Sequence, residues 1–160
     1  MGCLNVSLDT NIFIDVKNKE PDHEFSKNVL DRIDSGELKC AISTVLVAEI
    51  CAGYHSAGEL KEKEDFLTHI ISSQNYEIIP LSVGLADEAG RIRAATELRL
   101  PDAIVVASAL KGGAKCLISN DLSLKKAAGF IKVVTSREFV QDQSGRTDGT
   151  RTDGESGSRQ

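Results

Sequence analysis

The sequence predicts an α/β domain with a mainly parallel central sheet and helices on both of its faces. Two observations carry this. Short β-rich runs alternate along the chain with longer segments whose apolar residues recur at helical spacing, the pattern of successive βαβ units. The 160 residues suffice for one domain with one substantial core.

The first strand is expected at Cys3–Leu8, closed by Asp9 ahead of a helix that begins near Asn11. His23–Ser35 carries Phe25, Val29, Leu30 and Ile33 at helical spacing, and Gly36 ends it. Leu38–Ile42 is the second strand. Thr44–Tyr54 is apolar on most sides and is expected as a buried helix. Glu59–Ser72 is amphipathic, with Leu60, Phe66, Leu67, Ile70 and Ile71 on one side. Tyr76–Pro80 forms the third strand. In Val83–Glu97, Ala and Ile repeat against Asp87, Glu88, Arg91 and Arg93 as in a helix. Pro101 suits the first turn of a helix running to Leu110, with Gly112-Gly113 as its stop. Cys116–Ile118 and Ile131–Val134 complete the strands.

This places the folded domain at residues 1–143. The remainder, Ser144–Gln160, has no aliphatic or aromatic residue and repeats Arg-Thr-Asp-Gly at 146–149 and 151–154. Such a segment cannot bury enough apolar area to offset its ordering entropy, so it is expected as a disordered tail.

Composition narrows the function. Aromatic residues make up 4% of the chain and Trp is absent, which argues against platforms that stack nucleic-acid bases. The net charge of −5 argues against a broad basic face coating nucleic acid. Any affinity for a phosphodiester must then come from a local site. Cys3, Cys40, Cys51 and Cys116 form no CxxC or Cys/His cluster and are expected as buried free thiols, which suits a reducing cytoplasm. No basic region followed by a long apolar run opens the chain, so no signal peptide is expected, and no stretch approaches membrane-spanning length.

Four acids stand at the ends of, or inside, apolar runs: Asp9, Glu49, Asp102 and Asp121. Carboxylates are costly to desolvate, so acids at a core edge need partners, and a divalent cation is one that all four can share. Asp9 and Asp121 follow strands, whose C-terminal ends converge on the ligand-binding edge of a parallel sheet. Asp102 falls in the first turn of a helix, and Glu49 about one and a half turns into another, so all four can meet in one shallow pocket. Carboxylate oxygens suit Mg²⁺ or Mn²⁺, whereas His23, His55 and His69 fall in polar settings without ligand spacing. Taken singly, three acids have simpler explanations: Asp9 as a helix cap, Asp102 as a dipole partner and Asp121 as a turn residue beside Asn120. Glu49 resists such an explanation best, since a Glu on an apolar helix has no capping role. Asp15, Asp87 and Glu88 are expected as solvated surface charges.

The chain resembles the PIN-domain proteins, and most of all the VapC-type toxins of bacterial and archaeal toxin–antitoxin pairs. The resemblance rests on Leu8-Asp9-Thr10-Asn11, Ser43-Thr44-Val45-Leu46-Val47-Ala48-Glu49-Ile50, Leu100-Pro101-Asp102-Ala103-Ile104-Val105-Val106-Ala107-Ser108-Ala109 and Leu117-Ile118-Ser119-Asn120-Asp121, in order over about residues 3–140. It implies a PIN-like fold and a Mg²⁺- or Mn²⁺-dependent endoribonuclease that cleaves single-stranded RNA and blocks translation. Asp9, Glu49 and Asp102 would hold one metal, with Asp121 shaping its surroundings or a second metal. Thr10 and Asn120 fall at positions that help such sites through polar contacts. Ser119 stands where relatives often carry Thr, and both supply a hydroxyl. Arg91 and Arg93 would meet RNA phosphates or the antitoxin, or else form a solvated helix face. A cognate antitoxin and a homodimer are implied by the resemblance alone.

Two other readings compete. A phosphohydrolase of the haloacid-dehalogenase type needs a second acid two residues after the first, where this chain has Asn11. A catalytically silent PIN-like module, binding RNA or protein, usually lacks some of the acids; here all four remain.

Overall fold

Strand alternation sorts the core into two halves. In β1 (Leu4–Leu8), Val6 and Leu8 are fully buried on one face, while Ser7 turns to the other and donates its hydroxyl to the Ala41 carbonyl at 2.6 Å. In β2 (Leu38–Ser43), Leu38, Cys40 and Ile42 share the Val6 face and Ala41 lies opposite. The computed structural model describes residues 4–147, so Cys3 and the expected tail beyond 147 lie outside the described residues.

The chain runs β1, α1 (Thr10–Asn18), α2 (His23–Asp34), β2, α3 (Thr44–Ala57), α4 (Leu60–Ser72), β3 (Tyr76–Ile79), α5 (Val83–Thr96), α6 (Leu100–Lys111), β4 (Cys116–Ile118), a 3₁₀ segment Leu122–Ala127, β5 (Lys132–Val134) and α7 (Ser136–Thr147). Five strands pair in the order β3-β2-β1-β4-β5, and every pairing is parallel. The expected α/β class and parallel sheet are therefore what the structure has.

Helices cover both faces. On the Val6 side, Ile12 of α1, Val29 and Ile33 of α2, Leu46 and Ile50 of α3, Ile70 of α4 and Phe139 of α7 join the strands in one core. On the Ala41 side, Leu85, Ala89 and Ile92 of α5 pack with α6 and with Leu124 and Ala127 of the 3₁₀ segment. Each large aliphatic side chain removed from water contributes roughly 1.5–3 kcal/mol. Helix α6 approaches the sheet closely because its inner residues are small. At its end a Cβ on Gly112 would overlap that of Ala41, so only glycine fits there. Gly36, at φ 83°, turns the chain from α2 into β2, where other residues would be strained.

Two expectations change. Helix α3 is not buried: only Leu46 and Ile50 are fully covered, and Ala48, Glu49, Ala52 and Gly53 face water. Its apolar residues are largely small, so their number overstates how much surface must be hidden. Helix α7, unforeseen in the sequence, docks through Phe139 and continues through Thr147. Cys40 and Cys116 are buried free thiols as expected, but Cys51 is half-buried. Among the described residues no helix is long and apolar enough to cross a membrane.

Candidate active site

Asp9 stands where the central strand gives way to α1. Its backbone N–H donates to the Ile118 carbonyl at 3.0 Å, tying this point to the end of β4. In an extended conformation (φ −88°, ψ 159°) Asp9 caps α1, and Oδ1 accepts the Thr10 N–H at 2.8 Å. Oδ2 accepts the Ser119 hydroxyl at 2.9 Å and the Asn11 amide at 3.0 Å. Only 6% of the residue is exposed. Burial pushes its carboxyl up to about 6; the Ser119 and Thr10 bonds oppose this, and the charges of Asp102 and Glu49 add to it.

Glu49 reaches the same place from the water-facing side of α3. Its Oε2 accepts the Thr10 hydroxyl at 2.6 Å, so Thr10 touches Asp9 through its backbone and Glu49 through its side chain. The exposure of Glu49 corrects the sequence argument that an acid there lies on a buried helix. What singles it out is its link to Thr10 and its field at Asp9.

Asp102 is the third residue of α6, behind Leu100 and Pro101, and is 7% exposed. Its Oδ2 accepts from Arg99 Nε at 3.3 Å. Asp121 is exposed and caps the 3₁₀ segment, its Oδ1 accepting the Ser123 N–H at 2.9 Å. Its own N–H donates to Ser119 Oγ at 3.1 Å, so Ser119 bridges Asp9 and Asp121. The capping explanations for Asp9 and Asp121 thus hold in the structure.

Asn120 supports from behind. Its backbone N–H donates to Asn11 Oδ1 at 3.0 Å. Its side-chain amide donates to Asp15 at 2.7 Å and Ser26 at 3.1 Å, and its carbonyl oxygen accepts from the Ser136 N–H at 2.9 Å. Asp15, expected as a free surface charge, is therefore half-buried and partnered. Arg91 is bound to Glu88, Nε to Oε2 at 3.1 Å, and lies over the Phe130 ring, while Arg93 is exposed on the same helix. Among the described residues no hydrogen bond or ion pair joins either arginine to the four acids.

Sequence reading missed Arg99 and Asn11. Arg99 precedes Asp102 by three residues, the spacing at which helical neighbours meet, and that signal was available. Asn11 belongs to the first motif, but its contact with Asp9 carries no sequence signal beyond spacing: an amide two residues after a capping Asp can fold back onto it.

The donor set suits a hard divalent cation, since it offers only carboxylate oxygens, Asp9 and Asp102 are nearly buried, and the charges of Asp102 and Glu49 raise the Asp9 carboxyl. Among the described residues no three His, Cys, Asp or Glu side chains form a group that could hold a metal ion. The carboxylates instead engage Thr10, Asn11, Ser119, Ser123 and Arg99.

A parallel α/β domain with Asp9 and Asp121 just beyond the ends of β1 and β4 is the class that the fold defines. The chain belongs to the PIN domain family, whose model matches residues 6–130. It is similar in structure to a toxin–antitoxin complex from Klebsiella pneumoniae, with 27% identity, a TM-score of 0.63, and coverage of 82% of this chain and 97% of that one. The fold is also shared with VapBC2 from Rickettsia felis bound to a promoter DNA fragment, at 24% identity and TM-score 0.63, over 82% of this chain and 98% of that one. DNA-bound VapBC from Salmonella typhimurium shares it at 19% identity and TM-score 0.62, over 83% and 98%. Curated proteins give no match.

Proposed function

We propose that this protein is a VapC-type toxin: a metal-dependent endoribonuclease that hydrolyses phosphodiester bonds in single-stranded RNA and so blocks translation in the cytoplasm. Membership of the PIN family supports the reading, and the observation that carries it is the convergence on Asp9. A nearly buried carboxylate, raised further by the charges of Asp102 and Glu49, is poised for a cation more than for water.

Asp9, Glu49 and Asp102 would hold Mg²⁺ or Mn²⁺, with Asp121 beside them. When bound, such an ion supplies an acidified water and offsets charge on the phosphodiester. Thr10 orients the Glu49 carboxylate, and Ser119 and Asn11 fix the rotamer of Asp9. Asn120 holds Asn11 from behind through its backbone N–H, and the Asn11 amide donates in turn to the Ser119 hydroxyl.

A cognate antitoxin belongs to the same reading, supported by the 27% identity to a chain of the Klebsiella toxin–antitoxin complex. So does a homodimer, for which apolar surface is available at Leu81 and at Val83, the latter 89% exposed.

The test is cleavage of a single-stranded RNA pool by the purified chain with Mn²⁺ or Mg²⁺, with and without EDTA, alongside Asp9→Asn. Cleavage that needs the ion and is lost in Asp9→Asn is expected. Cleavage that survives the substitution overturns the site. No cleavage by a wild-type chain that binds Mn²⁺ turns the reading toward a silent RNA- or protein-binding module.

A further inference from the structure

One cation already stands against Asp102, and it is the chain's own. Arg99 leads into α6, and its backbone is anchored: Leu98 beside it is 2% exposed, and the Arg99 carbonyl accepts the Ala103 N–H at 3.0 Å. The side chain makes no cap to the helix. It reaches Asp102 instead, through Nε alone, at 3.3 Å, while the side chain as a whole stays 77% exposed. The hydrogen bond and charge of Asp102 hold the guanidinium above its usual range, and Glu49 and Asp121 add to this. Asp102 therefore holds this guanidinium directly, within the field of Glu49 and Asp121.

The contact is long, single and open to water, the kind that contributes little. Mg²⁺ carries twice the charge and bonds carboxylate oxygen at roughly 2.0–2.1 Å, well inside that distance. It would take Asp102 from Arg99 without moving the helix. RNA approaching the four acids meets repulsion, and two cations near this edge are committed elsewhere, Arg137 to Asp22 and Lys125 to Glu138. A freed guanidinium offers the planar donor fork that phosphate oxygens accept.

We propose that Arg99 is a placeholder cation: it neutralises Asp102 until a divalent ion takes that carboxylate, and the released guanidinium then binds a non-bridging oxygen of the substrate phosphodiester. The proposal rests on the metal-dependent reading above. It makes Arg99 oppose the metal and assist the RNA, two effects of opposite sign at one residue.

The experiment uses the full chain as wild type, Arg99→Gln and Arg99→Lys. Mn²⁺ affinity is measured without RNA by calorimetry and by the spin-resonance signal of free Mn²⁺. Affinity for a single-stranded oligoribonucleotide is measured by anisotropy, with Ca²⁺ replacing Mn²⁺. Arg99→Gln is expected to tighten Mn²⁺ about threefold to tenfold. It is expected to weaken the oligonucleotide by a similar factor and to lower the salt-dependence slope by about 0.7, the value for one single-strand phosphate contact. Arg99→Lys should keep that slope. A residue of purely structural importance weakens both affinities when replaced. Unchanged or weaker Mn²⁺ binding in Arg99→Gln, or unchanged oligonucleotide binding, overturns the proposal and leaves the metal reading standing. A wild-type chain that binds no Mn²⁺ overturns both.

Discussion

The Thr10 hydroxyl donates to Glu49 Oε2 at 2.6 Å, joining the first turn of α1 to the second turn of α3 across 39 residues of sequence. Because the Thr10 N–H also holds Asp9, one residue sets the separation of two carboxylates. Thr10→Val keeps the shape and removes the hydroxyl. Loss of an outer hydrogen bond of this kind typically costs about tenfold or more in metal affinity or activity. The expected result is RNA cleavage reduced about tenfold with an unchanged circular dichroism spectrum; an unaltered rate would show that Glu49 needs no orienting.

Asp9 makes stability depend on pH with a definite sign. An unperturbed Asp loses its proton near 3.8, and Asp9 in the fold near about 6. Between these values the folded chain holds the extra proton, so stability falls as pH rises through the window, and the full cost is present above it. Asp9→Asn carries no such cost but gives up one acceptor, leaving a net gain of about 1–2 kcal/mol at neutral pH. Urea unfolding without divalent ions should show that gain shrinking toward about pH 4. A gap independent of pH contradicts the origin assigned to the raised pKa.

Asn120 joins α1, α2 and α7 through one amide, contacting Asp15, Ser26 and Ser136. Asn120→Asp keeps the size, deletes both donors and sets a second carboxylate against Asp15. The expected loss is about 2–3 kcal/mol, from unmade bonds and like-charge contact. Thermal unfolding measures it. Because the Asp15 repulsion disappears on protonation, part of the loss should be recovered at low pH.

Gly112→Ala overpacks the contact between α6 and β2, since the new methyl would overlap that of Ala41. A cost of about 1–3 kcal/mol is expected. Ala41→Gly in the same chain should return much of it, because it removes the atom in the way. If the double variant is no better than the single one, the clash lies elsewhere, the Ser108 carbonyl and Ile79 being the next nearest atoms.

The strands were readable because each is a short β-rich run bounded by turn residues, and Leu38–Ser43 and Cys116–Ile118 fall where that signal put them. Helices α2, α4, α5 and α6 followed from apolar spacing and the punctuation of Gly36 and Pro101. Helix α7 was missed because Phe139 and Val140 are the apolar residues of Ser136–Thr147, and two adjacent positions define no period. The burial of α3 was overread because Ala and Gly count as apolar yet tolerate water. At the site, the four acids and Thr10 were visible as motifs. The parts played by Asn11, Ser119 and Arg99 depend on side chains folding back onto neighbours, and a hydrogen bond between residues 110 apart, such as Ser119 to Asp9, leaves no local trace.

The position of β1 between β2 and β4 has a consequence for synthesis. Val6 pairs with Cys40 on one side and with Cys116 on the other. The bond from Asp9 to Ile118 and the hydroxyl of Ser119 come from the far end of the chain. A ribosome-bound chain that has emerged only through α5 carries Asp9 and Glu49, but lacks Asp102 and the strand that seats Asp9. The domain is thus incomplete for most of its own translation, and Asp9 gains its partners Ile118 and Ser119 only once β4 has left the exit tunnel.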